Sequence, residues 1–278
     1  MHNLSGKVVV VTGAGSGIGR ALTIQLAEAG AILALNDINA DNLKETKLLA
    51  SHFHPQISTH LTDVSKRAQV EQFVQDVMKA HGKVDVLINN AGVALGRMST
   101  TEMTWDYWEW IMGINFWGTV YCTHFFLPVL LQQPEGHLVN VSSVFGLGAA
   151  KDRSGYCASK FAIRGFTESL RQELFGTNVN ASLVLPGGIR TNMVHHARGW
   201  KDPVAQKKAA LLQKEDNITT PEKAARIIIK GIKRNRPRIL IGPDARLLDL
   251  VVRIIPSYYD RLLNYLISRA EKRQDRKV

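Results

Sequence analysis

Thr12-Gly13-Ala14-Gly15-Ser16-Gly17-Ile18-Gly19 is the stretch that decides the fold. It follows Lys7–Val11, a β-branched run that reads as a buried parallel strand. It precedes Arg20–Ala29, where Leu22, Ile24, Leu26 and Ala27 recur at helical spacing up to Gly30. Gly13, Gly17 and Gly19 permit a tight turn and a close approach of backbone to a pyrophosphate. The helix start then offers free N–H groups and the positive end of its dipole to that anion. The spacing is G-x-x-x-G-x-G, with Ile18 between the last two glycines, not the commoner G-x-G-x-x-G. A glycine-rich turn without a ligand would look much the same, so the next acid matters. Asp37 closes the apolar run Ala31–Leu35 roughly 20 residues past the loop, where an acid accepts hydrogen bonds from the adenosine ribose. It would also repel a 2′-phosphate, and Ser16 offers that phosphate no cation. Both points favour NAD over NADP.

Outward from the loop, strands and helices alternate. Ala40–Ser51 reads as a helix, and a strand leads to Asp63. Ala68–His81 is a helix, and Val84–Ile88 runs into Asn89-Asn90-Ala91-Gly92. Trp105–Pro128 is helical in pattern, His137–Ser142 a strand and Tyr156–Leu174 a helix. Val179–Leu185 is a strand ending in Pro186-Gly187-Gly188. Such alternation predicts α/β architecture: a doubly wound parallel sheet of Rossmann type, helices on both faces, in a single domain. Residues 1–192 form the dinucleotide-binding and catalytic core in this reading. Residues 193–220 form a substrate lid, and residues 221–278 form C-terminal helices with a basic amphipathic extension.

Composition narrows the class. Of 278 residues, 45% are hydrophobic and 21% charged, which excludes disorder along the whole chain. Two cysteines, Cys122 and Cys157, are no disulfide framework and fit a reducing compartment. The apolar start is too short for a signal peptide, and no run approaches the ~18 apolar residues of a membrane span. A cytoplasmic protein is therefore expected. From Arg226 onward, fourteen Lys/Arg stand against five Asp/Glu, so this segment carries +9 of the net +11. The body is near neutral and no nucleic-acid reading motif accompanies the basic segment, so no nucleic-acid partner is expected. The nine histidines share no ligand spacing on one element, and no metal is expected.

The chemistry sits in Tyr156-Cys157-Ala158-Ser159-Lys160. Tyr and Lys four apart share a helix face. A phenol titrates near 10 and is a poor base at neutral pH, but a neighbouring ammonium lowers that value. Ser143, thirteen residues earlier, ends a strand, where ligands sit in such sheets. Asn115 is polar inside an apolar helix and needs a partner. Each has a plainer explanation alone: a chance helical pair, a strand-end turn, a satisfied backbone group. Their joint order and context outweigh those explanations.

With these residues in place, the chain resembles the short-chain dehydrogenase/reductase family of about 250 residues, over residues 5–195. The resemblance rests on Thr12–Gly19, Asp63-Val64, Asn89–Gly92, Asn115, Ser143, Tyr156, Lys160 and Pro186–Thr191. It implies a catalytic tetrad of Asn115, Ser143, Tyr156 and Lys160. It also implies a nucleotide held by Gly13, Ser16, Gly17, Ile18, Gly19 and Asp37, with Asp63 and Val64 at the adenine. Asn90, Ala91 and Gly92 would line the cleft. Pro186, Gly187, Ile189 and Thr191 would lie along the nicotinamide and its phosphate, and Tyr156 and Lys160 would reach the cofactor as well. Lys160 would bind the ribose and hold the phenol's pKa down, and Asn115 would anchor a water leading from Lys160 to solvent. A homodimer or homotetramer is the family expectation.

The function expected is hydride transfer between NAD(H) and an apolar secondary alcohol or ketone. The alternatives are an NADP-dependent carbonyl or 3-oxoacyl reductase and, from another class, a non-catalytic nucleotide-sensing module. The lid Asn192–Glu215 carries Met193, Trp200, Leu211 and Leu212, which fit either a lipophilic substrate or simple packing. Leu247, Leu248, Val251, Val252 and Ile255 form one apolar stripe. Tyr259, Leu262, Leu263, Leu266, Ile267 and Ala270 form a second, before the basic tail Arg269–Lys277. These fit a helix pair packed on the core or a second subunit, or a peripheral contact with an anionic membrane.

Overall fold

Val8–Thr12 (β1) is buried on both faces, and its alternate residues feed two different cores. Val9 and Val11 join Leu22, Leu26, Leu43 and Ile228 on one side of the sheet. Val8 and Val10 join Phe73, Val77, Phe126, Leu130 and Leu170 on the other. That double burial is why the strand reads as a continuous β-branched run and not as an alternation. Large side chains buried this fully each contribute about 1.5–3 kcal/mol relative to exposure.

The computed structural model describes residues 1–194, 196–200, 206–207 and 218–265. The expectations for Leu211 and Leu212 of the lid, and for the tail from residue 266, lie outside the described residues. Six further strands follow β1: β2 (Ile32–Asp37), β3 (Ile57–Leu61), β4 (Val86–Asn89), β5 (Gly136–Val141), β6 (Val179–Pro186) and β7 (Arg238–Ile241). They form one seven-stranded sheet in the order β3-β2-β1-β4-β5-β6-β7, parallel throughout. The order reverses between β1 and β4, and ligands of open α/β sheets bind outside the carboxyl ends of the strands at such a point.

The helices are α1 (Gly17–Glu28), α2 (Ala40–Ser51), α3 (Arg67–His81), α4 (Trp105–Met112), α5 (Gly118–Leu131), α6 (Ser154–Glu173), α7 (Pro221–Lys233) and α8 (Pro243–Ile254). A π-helical turn, Gly113–Trp117, joins α4 to α5. Helices α1, α2 and α7 cover one face, and α3, α5 and α6 the other.

Two features differ from the sequence reading. The segment after residue 220 is not only an appended helical extension, because β7 within it is the seventh strand of the sheet. Four residues entering from Pro237 at a sheet edge are too short to show a strand pattern. The stretch Trp105–Leu131, taken through its interruptions, is 27 residues long and holds an 18-residue window of mean hydropathy 1.3, enough by length and composition to cross a membrane. Asp106 and Glu109 break its apolar run in the sequence. In the fold, α5 packs on α3 and β4, and α4 packs on α6.

The C-terminal stripe divides. Ala245 of α8 is buried, and Leu248 and Val252 lie beside Gly148, together with Tyr259 from the helical residues 259–265. The Tyr259 hydroxyl accepts from the Ala149 N–H (3.1 Å). Leu247, Leu250 and Ile254 of the same helix face outward, 54–67% exposed.

Candidate active site

The glycine loop is shaped so that side chains would collide where backbone must pass. A Cβ on Gly19 would lie 2.0 Å from the Gly13 carbonyl oxygen, and one on Gly13 would lie 2.8 Å from the Ala91 Cα. Gly13 and Gly17 also sit at positive φ (63° and 51°), where L side chains are strained. Ser16 precedes α1 in extended backbone and its side chain makes no cap, so the helix start is left as backbone alone. Such a cradle fits a dinucleotide pyrophosphate. Asp37 grips the loop: its Oδ2 accepts from the Gly15 N–H (2.8 Å) and its Oδ1 from the Asn39 N–H (2.9 Å). The nearby guanidinium of Arg20 is engaged by the Gly15 carbonyl, Thr46 and Glu45.

Asn90 closes the loop from β4. Its amide donates to the carbonyls of Thr12 (2.9 Å) and Gly13 (3.1 Å). The Thr12 hydroxyl accepts from the N–H groups of both Asn90 and Ala91, a role the sequence did not single out. Asp63 is turned inward on its own loop, accepting from the N–H and hydroxyl of Ser65. Val64, expected at the adenine, has its side chain buried and packed against Gly118, so only its backbone is free to meet a ligand there.

The catalytic candidates converge where β5 meets α6. Ser143 follows β5; its hydroxyl accepts from the Phe145 N–H (3.2 Å) and lies close enough to the Tyr156 phenol to act on its pKa in the lowering direction. Lys160 is 3% exposed, its Nζ 5.8 Å from the centre of the Tyr156 ring and 3.2 Å from the Val141 carbonyl. Burial pulls its pKa from 10.5 to about 8. Asn115 is fully buried inside the π-helical turn, a distortion common at functional sites. Its Oδ1 accepts from the Val93 N–H (2.8 Å), and its Nδ2 donates to the Val93 carbonyl (3.1 Å) and the Ser159 hydroxyl (3.0 Å). Gly92 lies between Asn115 and Lys160: a Cβ there would be 3.2 Å from Asn115 Oδ1 and 3.3 Å from Lys160 Nζ. The tetrad residues thus form one connected cluster.

One expectation changes in detail. The Tyr156 pKa lies above the usual phenol value, because burial disfavours the phenolate; the Ser143 hydroxyl and the charge of Arg153 act in the lowering direction. Arg153 thus joins Lys160 as a cation near the phenol. Sequence reasoning passed over Arg153, which stands three residues before the tyrosine with no motif to mark it.

The turn after β6 faces the loop across the cleft. A Cβ on Gly17 would lie 3.1 Å from the Thr191 methyl. The Gly187 N–H donates to the Ile241 carbonyl (2.8 Å), and the Gly188 N–H to Asp244 Oδ2 (2.6 Å). Ile189 is buried and bridges to Thr219. Pro186 closes β6, paired with Ile241. Asp244 was invisible as a partner in the sequence, where Pro243-Asp244 reads as an ordinary helix start.

The comparisons with known proteins agree with this geometry. The short chain dehydrogenase family model matches residues 7–202. A protein of Mycobacterium tuberculosis named as the oxidoreductase SadH is 40% identical over 266 residues, 95% of this chain and 96% of that one. A short-chain dehydrogenase/reductase from Burkholderia phymatum, solved in complex with NAD, superposes with TM-score 0.85 at 29% identity, covering 94% of this chain and 97% of that one. A metagenomic short-chain oxidoreductase solved with NADP gives TM-score 0.72 at 26% identity, covering 86% and 98%. The chain belongs to the short-chain dehydrogenase/reductase family. It is an NAD(P)-dependent oxidoreductase.

Proposed function

We propose that the protein transfers a hydride between NAD(H) and a secondary alcohol or ketone with an apolar body, with Tyr156 as general acid and base. The observation that carries this reading is the cluster of Ser143, Tyr156 and Lys160 at the β5–α6 junction, beside the glycine cradle. The bound nicotinamide supplies the hydride acceptor or donor, and the chain supplies position and proton transfer. In the oxidation direction the Tyr156 phenolate oxygen takes the substrate hydroxyl proton. Ser143 hydrogen-bonds the same oxygen as it becomes a carbonyl, held in place by the Phe145 N–H. Lys160 would offer its ammonium to the ribose hydroxyls of the nucleotide and lies 5.8 Å from the centre of the Tyr156 ring. Asn115 fixes the Val93 backbone and, through Ser159, the helix turn that carries Tyr156.

Asp37 supports NAD over NADP. Its carboxylate is anchored at the loop, where a 2′-phosphate would meet a like charge. The neighbouring Arg20 is already committed to Glu45. Leu95, Met98 and Met103 beside Tyr156 support an apolar substrate body. A non-catalytic sensor would have no use for Ser143, Tyr156 and Lys160 together.

The test is a panel of secondary alcohols and ketones of varied chain length and ring content, followed by reduced-nicotinamide absorbance with each nucleotide. Turnover with NAD(H) is expected to exceed that with NADP(H). Tyr156→Phe is expected to lower kcat by about 10²–10⁴-fold while leaving nucleotide titration unchanged. Retained turnover in that variant would refute the assignment.

A further inference from the structure

Three local rules are broken together at the start of α6. Asp152 has φ 59°, a left-handed conformation that non-glycine residues rarely adopt and that costs free energy. Arg153 occupies the N-cap of α6 without capping it, where Ser, Thr, Asp or Asn is preferred. Its positive charge also stands at the positive end of the α6 dipole. Third, among the described residues the Arg153 guanidinium has no hydrogen-bond acceptor and no carboxylate partner. Its direct contact is the face of the Phe145 ring, 5.6 Å from guanidinium carbon to centroid. A ring face supplies no lone pair for five N–H donors. Asp152, next in the chain, forms no ion pair with it.

The surroundings say where this charge is aimed. Arg153, Asp152 and Tyr156 line one crevice, too narrow to hold a water, with Leu95, Met98 and Met103. Phe145, on which the guanidinium rests, packs edge-to-face on Tyr156 at 6.1 Å. Arg153 stands at the N-cap of the helix that carries Tyr156, three residues before it. A second guanidinium borders the same region: Arg198 lies 4.4 Å over the Trp110 ring, and its carbonyl accepts from the Gly96 N–H. Burial and the like charge of Arg97 both weaken the hold of Arg153 on its proton. Nothing within the described chain repays these costs.

We propose that Arg153 is the anchor for a carboxylate on the substrate, so that the enzyme acts on a hydroxy or oxo acid with an apolar body. The planar fork of arginine matches a carboxylate in bidentate geometry. Phe145, shared between the Arg153 guanidinium and the Tyr156 ring, puts that carboxylate on the same side of the site as the reacting oxygen. Leu95, Met98 and Met103 supply apolar surface beside it. The inference rests on the dehydrogenase reading above and adds a charge to its substrate.

The test uses matched pairs: 2-, 3- and 4-oxo acids of increasing alkyl length, each beside its methyl ester, assayed with the full-length protein. Wild type is expected to prefer at least one acid to its ester. In Arg153→Gln the acid-to-ester ratio of kcat/KM should fall on the order of 10- to 100-fold, as for loss of a charge-assisted hydrogen-bonded pair. Arg153→Lys should restore part of that ratio. Melting temperature and nucleotide titration identify variants that fold and bind normally. Equal turnover of acids and esters by wild type overturns the proposal and leaves the dehydrogenase reading standing. So does an equal loss for both in Arg153→Gln with a shifted pH profile, which would make Arg153 a partner of the phenol alone. Failure of every compound with either nucleotide overturns both readings.

Discussion

Two segments close on the same cleft, and they are held still by opposite means. The loop from Thr12 to Gly19 is shaped by what it lacks: with no Cβ at Gly13 and Gly19, backbone packs on backbone, and Asn90 ties it to the neighbouring strand. The turn from Pro186 to Thr191 is shaped by what reaches it from far along the chain. Asp244 holds the Gly188 N–H, Ile241 holds the Gly187 N–H, and Thr219 brackets Gly188 and Arg190. The first is held by its own glycines and by the strand ends beside it. The second is rigid only once the C-terminal segment has folded onto it.

Substitution within the loop should have the largest effect. Gly19→Ala places a methyl group 2.0 Å from the Gly13 oxygen and 2.7 Å from Asn90 Nδ2, so the cradle must shift. Overpacking of this kind costs about 1–3 kcal/mol, which corresponds to roughly 5- to 150-fold in nucleotide affinity if it falls on the binding site. Gly82→Ala is the control: it has φ 71° and open space around it, so it carries backbone strain without a clash. Fluorescence titration with reduced nucleotide should show weakened binding for the first and wild-type binding for the second. Equal binding in both would mean the loop yields freely and the comparison fails on its first side.

The same contrast explains what the sequence could tell. Glycines at fixed offsets, a Tyr-x-x-x-Lys pair and alternating apolar runs are short-range patterns, and each fell on its element to within a few residues. Asp37 and Asn90 were legible because strand ends next to a glycine loop have few places to go. Asp244 was not, because its partner lies 56 residues away and its own setting reads as a helix start. Strand β7 escaped because four residues at a sheet edge carry no period. The packing of the Val64 side chain on Gly118 was not legible either, because it is a contact between β3's end and α5 that no local pattern encodes.

A smaller effect is expected at the long-range clamp. Asp244→Ala removes the acceptor of the Gly188 N–H, while Asp244→Asn keeps an oxygen in reach. A hydrogen bond to a charged group contributes about 1.5–3 kcal/mol when buried, and this one is solvent-exposed, so a change of several-fold in nucleotide KM is the expected scale. The Ala variant should show it with kcat for the bound complex less affected, and the Asn variant should recover most of it. If KM stays at the wild-type value in both while the melting temperature falls, the clamp serves the fold and not the cofactor turn.

The least effect in size, and the one that separates the two sides most cleanly, concerns a charge buried between them. Lys160 is enclosed beneath Val141 and Gly92, and its pKa falls from 10.5 to about 8 because burial disfavours the ammonium. From about pH 8 to 10.5 the unfolded chain therefore binds more protons here than the folded one, and stability from this group rises with pH across that window. Below pH 8 the full cost of burying the ammonium is present in the folded protein without cofactor. Lys160→Met keeps the apolar stem and removes the charge. It should lose turnover yet melt a few degrees higher than wild type at pH 7, a shift of the order expected for about 1 kcal/mol. The gap should narrow as pH approaches 10, because wild type then sheds the same cost by deprotonation. Saturating nucleotide should also narrow it, since the ribose hydroxyls expected beside Lys160 would give the ammonium partners that only the wild type can use. A variant that melts lower than wild type at pH 7 would show that the Val141 carbonyl and its neighbours already compensate the charge. The active-site side of the cleft would then be as self-sufficient as the glycine loop, and the contrast between them would be confined to the turn after β6.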